Sequence, residues 1–361
     1  MKYRLGNICK IGDGLHGTPN YCKNNEFYFI NGNNLKGELI DLSNARSVSK
    51  AEYLKYNPNL IPQKTVLLSI NGTLGNTAIY NGESIILSKS VAFFECSTDI
   101  ITPEYLKLYF ESCNFQNILN NMATGTTIKN VGLKSLRSLM IDLPSINIQR
   151  EIVNIIKPFE NKLYLNNQIN DNLISLATAL FNKYFPNINS GNEMIGNFIS
   201  NYDRLRKPLS KKERLSIPGK YRYIGATSVN DYINKYNFDG IYLLLGEDGT
   251  VEDDNGYPIL QYISGKFWPN NHAHVLQGKN VSTEWLYLFF KQRKITSIVT
   301  GAVQKKISQK NLNSLSISIP DKDKLARFDT IINPIFKNIR IIESENHSLE
   351  KIKVELLSKL F

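Results

Sequence analysis

Cysteine is scarce in this chain and poorly placed for chemistry. The four thiols, Cys9, Cys22, Cys96 and Cys113, all lie in the first half and none forms a Cys-x-x-Cys pair. Zinc-site and thiol-redox spacings are therefore absent, and reduced structural thiols are the expectation. Long apolar runs are missing too. None reaches the roughly 20 residues that span a bilayer, and the start Met1-Lys2-Tyr3-Arg4-Leu5-Gly6 has no apolar signal segment. The expectation is a cytoplasmic protein with no membrane partner. A GxxxxGK[ST] phosphate loop is lacking, which excludes an ATP-driven motor. A methyltransferase needs an Asn/Asp-Pro-Pro-aromatic loop to hold a flipped base, and Asp142-Leu-Pro-Ser145 lacks its second proline and its aromatic. Acidic charge is also in deficit: 43 Lys and Arg against 32 Asp and Glu leave a net +11. That balance favours a polyanionic partner, because cations that neutralise phosphates release condensed counterions.

What the chain does contain is a copy of part of itself. Thr124 to Phe185 aligns with Thr300 to Phe361 at a constant offset of 176 residues, without a gap, and 17 of the 62 positions are identical. Among them are Thr124-Gly125 on Thr300-Gly301, Lys129 on Lys305, Lys134 on Lys310, Pro144 on Pro320, Pro158 on Pro334 and Phe185 on Phe361. A period this long excludes a solenoid of short repeats and points to a duplicated domain.

After each matched proline the apolar residues recur in steps of three and four, which a helix turns into one stripe. The expected seam is Ile152, Ile155, Phe159, Leu173, Leu176 and Leu180 in one copy, with Phe328, Ile331, Ile335, Leu349, Ile352 and Leu356 in the other. Lys162, Asn166, Asn338 and Glu345 interrupt it with polar groups that fix register. Ser145 and Asp321 are positioned as N-caps. Pro158 and Pro334 should kink or break each run of about 35 residues.

Ahead of each helix lies a block with strand-like runs and Gly/Asn turns. Glu26–Ile30, Thr65–Ile70 and Ser90–Phe94 read as strands in the first, and Lys220–Ile224, Ile241–Leu245 and His274–Leu276 in the second. Each block also carries one short amphipathic helix, Glu104–Phe110 or Glu284–Phe290, with start signals at Thr102-Pro103 and Ser282-Thr283. The loops diverge: Gly72-Thr-Leu-Gly75 matches Gly246-Glu-Asp-Gly249 only in its glycines. Two readers of different things on one frame would have this pattern.

Pro320-Asp321-Lys-Asp323-Lys324 places its acids together at a helix start, where they cap the helix; a nuclease needs acids converging from separate strands on Mg²⁺. His272 and His274 alternate on a strand without a third ligand, so hydrogen bonding at a loop base is expected. The basic residues are better placed. Arg204, Arg206, Lys207, Lys211, Lys212, Arg214, Lys220 and Arg222 cluster with Tyr202, Tyr221 and Tyr223, a composition suited to phosphate clamps and guanine readers. Lys129 with Lys305, and Lys134 with Lys310, flank a turn in both copies and suit a repeated phosphate contact. Thr73 and Asn76 in the first loop, and Glu247 and Asp248 in the second, are candidate DNA contacts; the acids are suited either to a cation or to cytosine N4.

Taken together, the chain resembles the specificity subunit of type I restriction-modification systems over essentially its whole length. The resemblance is carried by the order of domains and helices, by Leu143-Pro144 and Ile319-Pro320 ahead of the helices, by Gly125-Thr-Thr-Ile-Lys129 with Gly301-Ala-Val-Gln-Lys305, and by Trp268-Pro-Asn-Asn-His-Ala-His274. One departure is that no extra helical segment precedes the first block. The resemblance implies an α+β chain with pseudo-two-fold symmetry. Target-recognition domains at 1–144 and 187–320 would be separated by long helices at 145–186 and 321–361 that form an antiparallel coiled coil. It further implies a non-enzymatic reader of double-stranded DNA that recognises a bipartite target. Two modification subunits and restriction subunits would be its partners, and S-adenosylmethionine, Mg²⁺ and ATP would sit on them, not on this chain. Leu163, Leu165, Ile339 and Ile341 are the expected outward docking residues. The alternatives are an autonomous metal-dependent DNA endonuclease and a protein-binding coiled-coil adaptor.

Overall fold

The computed structural model describes residues 1–23, 26–56, 61–125, 128–301, 304–318 and 321–361. The chain forms two compact units, neither continuous in sequence: Met1–Leu165 with Glu345–Phe361, and Asn166–Ser344.

In the first unit the strands Cys9–Asp13, Val91–Cys96, Thr65–Ser69 and Thr77–Tyr80 form an antiparallel sheet in that order. Every residue of Thr65–Ser69 is buried because the sheet is covered on both faces, which accounts for an unbroken apolar run in place of alternation. Val66 and Leu68 face the helices Pro103–Glu111 and Cys113–Met122. Leu67 faces a second cluster under the small sheet Arg46–Val48, Phe27–Ile30 and Ile85–Leu87. Thr102 caps Pro103–Glu111 through the Tyr105 amide, as its start signal predicts.

The second unit repeats this plan on a longer sheet, ordered Ile199–Asn201, Ala273–Gly278, Phe238–Gly246, Leu260–Pro269, Pro218–Ile224 and Val229–Ile233. Leu243 and Leu245 pack toward the helix Thr283–Lys291, and Leu244 toward the opposite face. The strands Cys9–Asp13, Thr77–Tyr80 and Leu260–Pro269 escape the sequence reading, the first and last because each carries an interior glycine that dilutes the strand pattern.

The long helices are Ile146–Tyr184 and Lys322–Leu360, 39 residues each. Asp321 caps the second through the Lys324 amide at 2.8 Å; Ile319-Pro320 fall outside the described residues. At the start of the first, Gln149 is fully buried. Its side chain donates to the carbonyls of Ile100 and Pro144 and accepts from the Thr102 amide. Both helices run through Pro158 and Pro334 unbroken. Each proline faces solvent, while Ile156 before Pro158 and Glu160 after it, and Ile332 and Phe336 around Pro334, are fixed by packing or ion pairs that hold the run helical.

Each unit contains the first part of one long helix and the last part of the other, running antiparallel. In the first unit Ile152 and Ile156 pack in one core with Leu357, and Lys162 reaches Glu345 at 3.4 Å. In the second, Phe181 and Phe185 meet the Phe328 ring at 5.8 and 5.1 Å. The seam differs in detail from the heptad expectation. Phe328 is buried, and Phe159, Leu173, Leu180, Ile335, Leu349 and Leu356 are half-buried. Ile155, Leu176, Ile331 and Ile352 instead face solvent, and their neighbours Ile156, Ala177 and Ile332 occupy the core. Apolar residues stand side by side at these points, and a helix lying on both its partner and a globular body has a stripe that drifts from a strict period of 3.5. For the same reason Ile339, expected outward, is buried, and Leu163 is half-buried, while Leu165 and Ile341 are more than half exposed.

Candidate nucleic-acid interface

In each unit two loops are zipped together by the same backbone bonds. The Gly72 amide donates to the Lys129 carbonyl at 3.0 Å and Val131 to Ile70 at 2.9 Å; Gly249 donates to Lys305 at 2.9 Å and Ile307 to Glu247 at 2.8 Å. Thr124 and Asn130 exchange both backbone bonds, as do Thr300 and Lys306. The equivalence is therefore Asn71-Gly72-Thr73 on Asp248-Gly249-Thr250. The glycine match that sets Gly72 on Gly246 is corrected: Gly72 corresponds to Gly249, so that match is out of register, and the true offset of this loop differs by one residue from that of the loop it is bonded to. Gly72 and Gly249 have φ of +72° and +82° with open space where a side chain would project. Gly125 and Gly301, at +93° and +90°, are tighter: a Cβ would lie 2.3 Å from the Ile128 carbonyl oxygen and 2.1 Å from that of Gln304. Thr126-Thr127 and Ala302-Val303 lie outside the described residues.

Around this shared frame the side chains differ. Lys129 is exposed and donates to Asn120 Oδ1 at 3.0 Å. Lys305 is held by Glu252 at 2.8 Å. Lys134 and Lys310 are exposed. Thr73 is exposed and donates to Asn33 Oδ1 at 2.8 Å. Asn76 is turned inward, its amide donating to the Gly32 carbonyl at 2.9 Å, so it fixes the loop and is not a free reader.

The basic cluster splits in two. Arg204, Lys207, Lys211 and Lys212 are exposed. Arg206 is not: it donates to Glu247 at 2.7 Å and to the Ala273 carbonyl at 2.6 Å, and it lies 3.5 Å from Asp203. Arg214 pairs with Asp231, lies 4.7 Å over the Tyr223 ring and donates to the Leu209 carbonyl. Arg222 donates to the Ser264 carbonyl at 2.6 Å. These three arginines brace the body, because acids distant in sequence claim the first two and a strand carbonyl the third. Glu247 faces inward with them, and Asp248 pairs with His272.

Asp203, Glu247 and His274 lie close enough to hold a metal ion, but Arg206 stands between the acids. His274, almost fully buried, bonds Asp203 Oδ2 at 2.6 Å through Nδ1 and the Ile307 carbonyl at 2.9 Å through Nε2. Burial alone would raise the Asp203 carboxyl, yet hydrogen bonds from His274, the Val275 amide and Asn201 outweigh it and hold it below its ordinary value. The cluster is a closed ion network at the base of the second loop.

Sequence reasoning missed Lys266 and Tyr236. Lys266 Nζ lies 4.5 Å over the Tyr236 ring, which meets Tyr221 at 4.9 Å, with Lys220 5.4 Å over Tyr221. Only strand register brings Lys266 to this cationic, aromatic ridge.

Residues 1–174 and 199–354 each match the type I restriction modification DNA specificity domain. The chain belongs to that family. Its two bodies are thus DNA specificity domains, and the loop pair repeated in both is their shared frame. A stretch of 127 residues is 33% identical to the type I restriction enzyme specificity subunit S.HindORF215P of Haemophilus influenzae, covering 35% of this chain and 31% of that one. Similarity to the MjaIX specificity subunit of Methanocaldococcus jannaschii is lower, 21%, but extends over 95% of this chain and 84% of the relative. The fold is similar to the crystal structure of the S subunit from M. genitalium, with a TM-score of 0.51 at 16% identity, covering 100% of this chain and 96% of that one.

Proposed function

We propose that each specificity domain reads one half of a bipartite DNA target and that the helix pair sets the gap between the halves. The repeated loop frame with unlike side chains carries this reading: exposed Asn130 stands where exposed Lys306 stands, and Lys129 is held by Asn120 where its counterpart Lys305 is held by Glu252. One frame presents two different hydrogen-bonding surfaces, as reading two different half-sites requires. Exposed Arg204, Lys207, Lys211 and Lys212 supply phosphate contacts that position the second domain without specifying bases. The acids of the second loop are left out of base readout, since both are engaged within the protein.

The chain is not itself an enzyme in this reading. Two modification subunits bring S-adenosylmethionine, restriction subunits bring ATP and Mg²⁺, and Leu165 and Ile341 belong to the docking faces. The complex works in the cytoplasm.

Sequencing methylated bases in cells that make this chain with its modification subunits tests the proposal. The expected result is a two-part motif with a fixed gap, and one heptad inserted into each long helix should lengthen it. An unchanged gap would count against the helices as spacer. Purified chain with plasmid and Mg²⁺ should give no cleavage; cleavage would favour an autonomous nuclease. Leu165→Asp or Ile341→Asp should abolish methylation in a folded subunit.

A further inference from the structure

The repeat equates the buried contacts where a short helix meets the two long ones, and their chemistry is unlike. In the first unit Glu160 accepts from Lys107, which is 1% exposed, and from Lys353 Nζ at 2.5 Å; Lys353 also reaches Glu111 at 2.7 Å. The 176-residue offset puts Phe336 in place of Glu160 and Ala177 in place of Lys353. The short helices align by their caps, Thr102 and Ser282, which puts Tyr287 in place of Lys107 and Lys291 in place of Glu111. In the second unit the Tyr287 and Phe336 rings meet edge to face at 5.8 Å, and Ala177 and Phe336 are fully buried. A second cross-helix pair in the first unit, Lys162 with Glu345 at 3.4 Å, corresponds to Asn338 and Ile169.

We propose that the helix seam is a self-discriminating interface: the first helix accepts the C-terminal segment 345–361 and rejects the like segment, 169–185, of a second copy of this chain. A duplicated chain is open to that error, since two first helices share the apolar pattern that drives the correct pairing. Like-with-like pairing sets Ala177 where Lys353 belongs and leaves Glu160 and Glu111 with Lys107 as their sole cation. Pairing of two second helices sets Lys353 against Phe336 beside Lys291, where its native partners Glu160 and Glu111 are both missing. Two-fold symmetry inflicts each fault twice, and removing one partner of a buried ion pair is far costlier than never having had the pair.

The test uses the full chain carrying Gln168→Cys, a position that like-with-like register would bring against itself. The protein is unfolded, refolded at high concentration and oxidised, and peptide mass identifies any disulfide joining residue 168 of two chains. Trace product is expected. Adding the isosteric, uncharged Glu160→Gln should raise it about tenfold or more. The transplant Lys107→Tyr, Glu111→Lys, Glu160→Phe, Lys353→Ala gives both units the same four residues at this contact and should raise it further. Ile156→Ala loosens the same seam without touching charge and should leave the product near the starting level. Product as abundant in the parent or in Ile156→Ala as in Glu160→Gln would overturn the proposal. If the transplant does not fold, the Glu160→Gln comparison decides alone.

Discussion

Lys353 Nζ bonds Glu111 Oε2 at 2.7 Å, tying the C-terminal helix to a short helix 242 residues earlier in the chain. Burial alone would lower Lys353, but Glu111 and Glu160 outweigh it and raise its pKa. Burial alone would raise Glu160, but Lys107 and Lys353 outweigh it and lower its pKa. The Lys353 contribution is therefore complete below about pH 10, the unfolded lysine value, and is lost as pH rises through the folded value. The Glu160 contribution is present above about pH 4 and is lost as pH falls through the folded value. Lys353→Ala should destabilise the first unit by about 3–5 kcal/mol near neutrality. Chemical denaturation across pH checks this: the gap between parent and variant should narrow at both extremes.

Arg206 and the surface lysines should separate cleanly. Arg206→Lys retains charge but cannot reproduce the fork to Glu247 and the Ala273 carbonyl, and a loss of about 2–4 kcal/mol is expected in the second unit. Lys211→Ala and Lys212→Ala should leave stability within about 0.5 kcal/mol. In a DNA mobility shift with modification subunits present, each should reduce the salt slope by about 1. Thermal melts together with titrations at several salt concentrations give both readouts.

The four loop glycines should rank by geometry. Gly72→Ala and Gly249→Ala meet open space and carry only the backbone penalty of positive φ, about 1–2 kcal/mol. Gly125→Ala and Gly301→Ala add a collision with a backbone carbonyl and should be clearly worse. Asn in place of Gly72 should retain more stability than Val, since Asn tolerates this conformation. Denaturation midpoints of the set check the order.

Asp203 should give the second unit an acid-sensitive window. Its folded pKa is depressed, so its contribution is present above about pH 4 and disappears as pH falls through the folded value. Asp203→Asn should lower stability at pH 7 and flatten the acid limb. An acid limb as steep as the parent's would show that other carboxylates dominate.

The duplication was the most legible feature, because the long helices answer to one requirement, an apolar stripe, that recurs at the same offset. Their starts were readable from Pro144 and Asp321, and the short helices from Thr102 and Ser282. The choice between Ile155 and Ile156 was not, since both are apolar and only the globular body on the far side decides which one turns inward. Nor was the role of a basic residue. Arg204 and Arg206 look alike in sequence, and what distinguishes them is Glu247, 41 residues after Arg206. The loop equivalence was hidden because two glycines in each loop can be matched out of register, and only backbone pairing shows that Gly72 corresponds to Gly249.

Because Phe361 lies against Tyr105 and Tyr109, with ring centroids 5.1 and 5.9 Å apart, the N-terminal body receives its closing aromatic from a residue that follows the whole second body in sequence. A ribosome will have made the second body before the first is sealed. Stop codons between Glu345 and Phe361 should consequently damage the domain encoded first, and the nascent first body must wait, partly open, while the second is made.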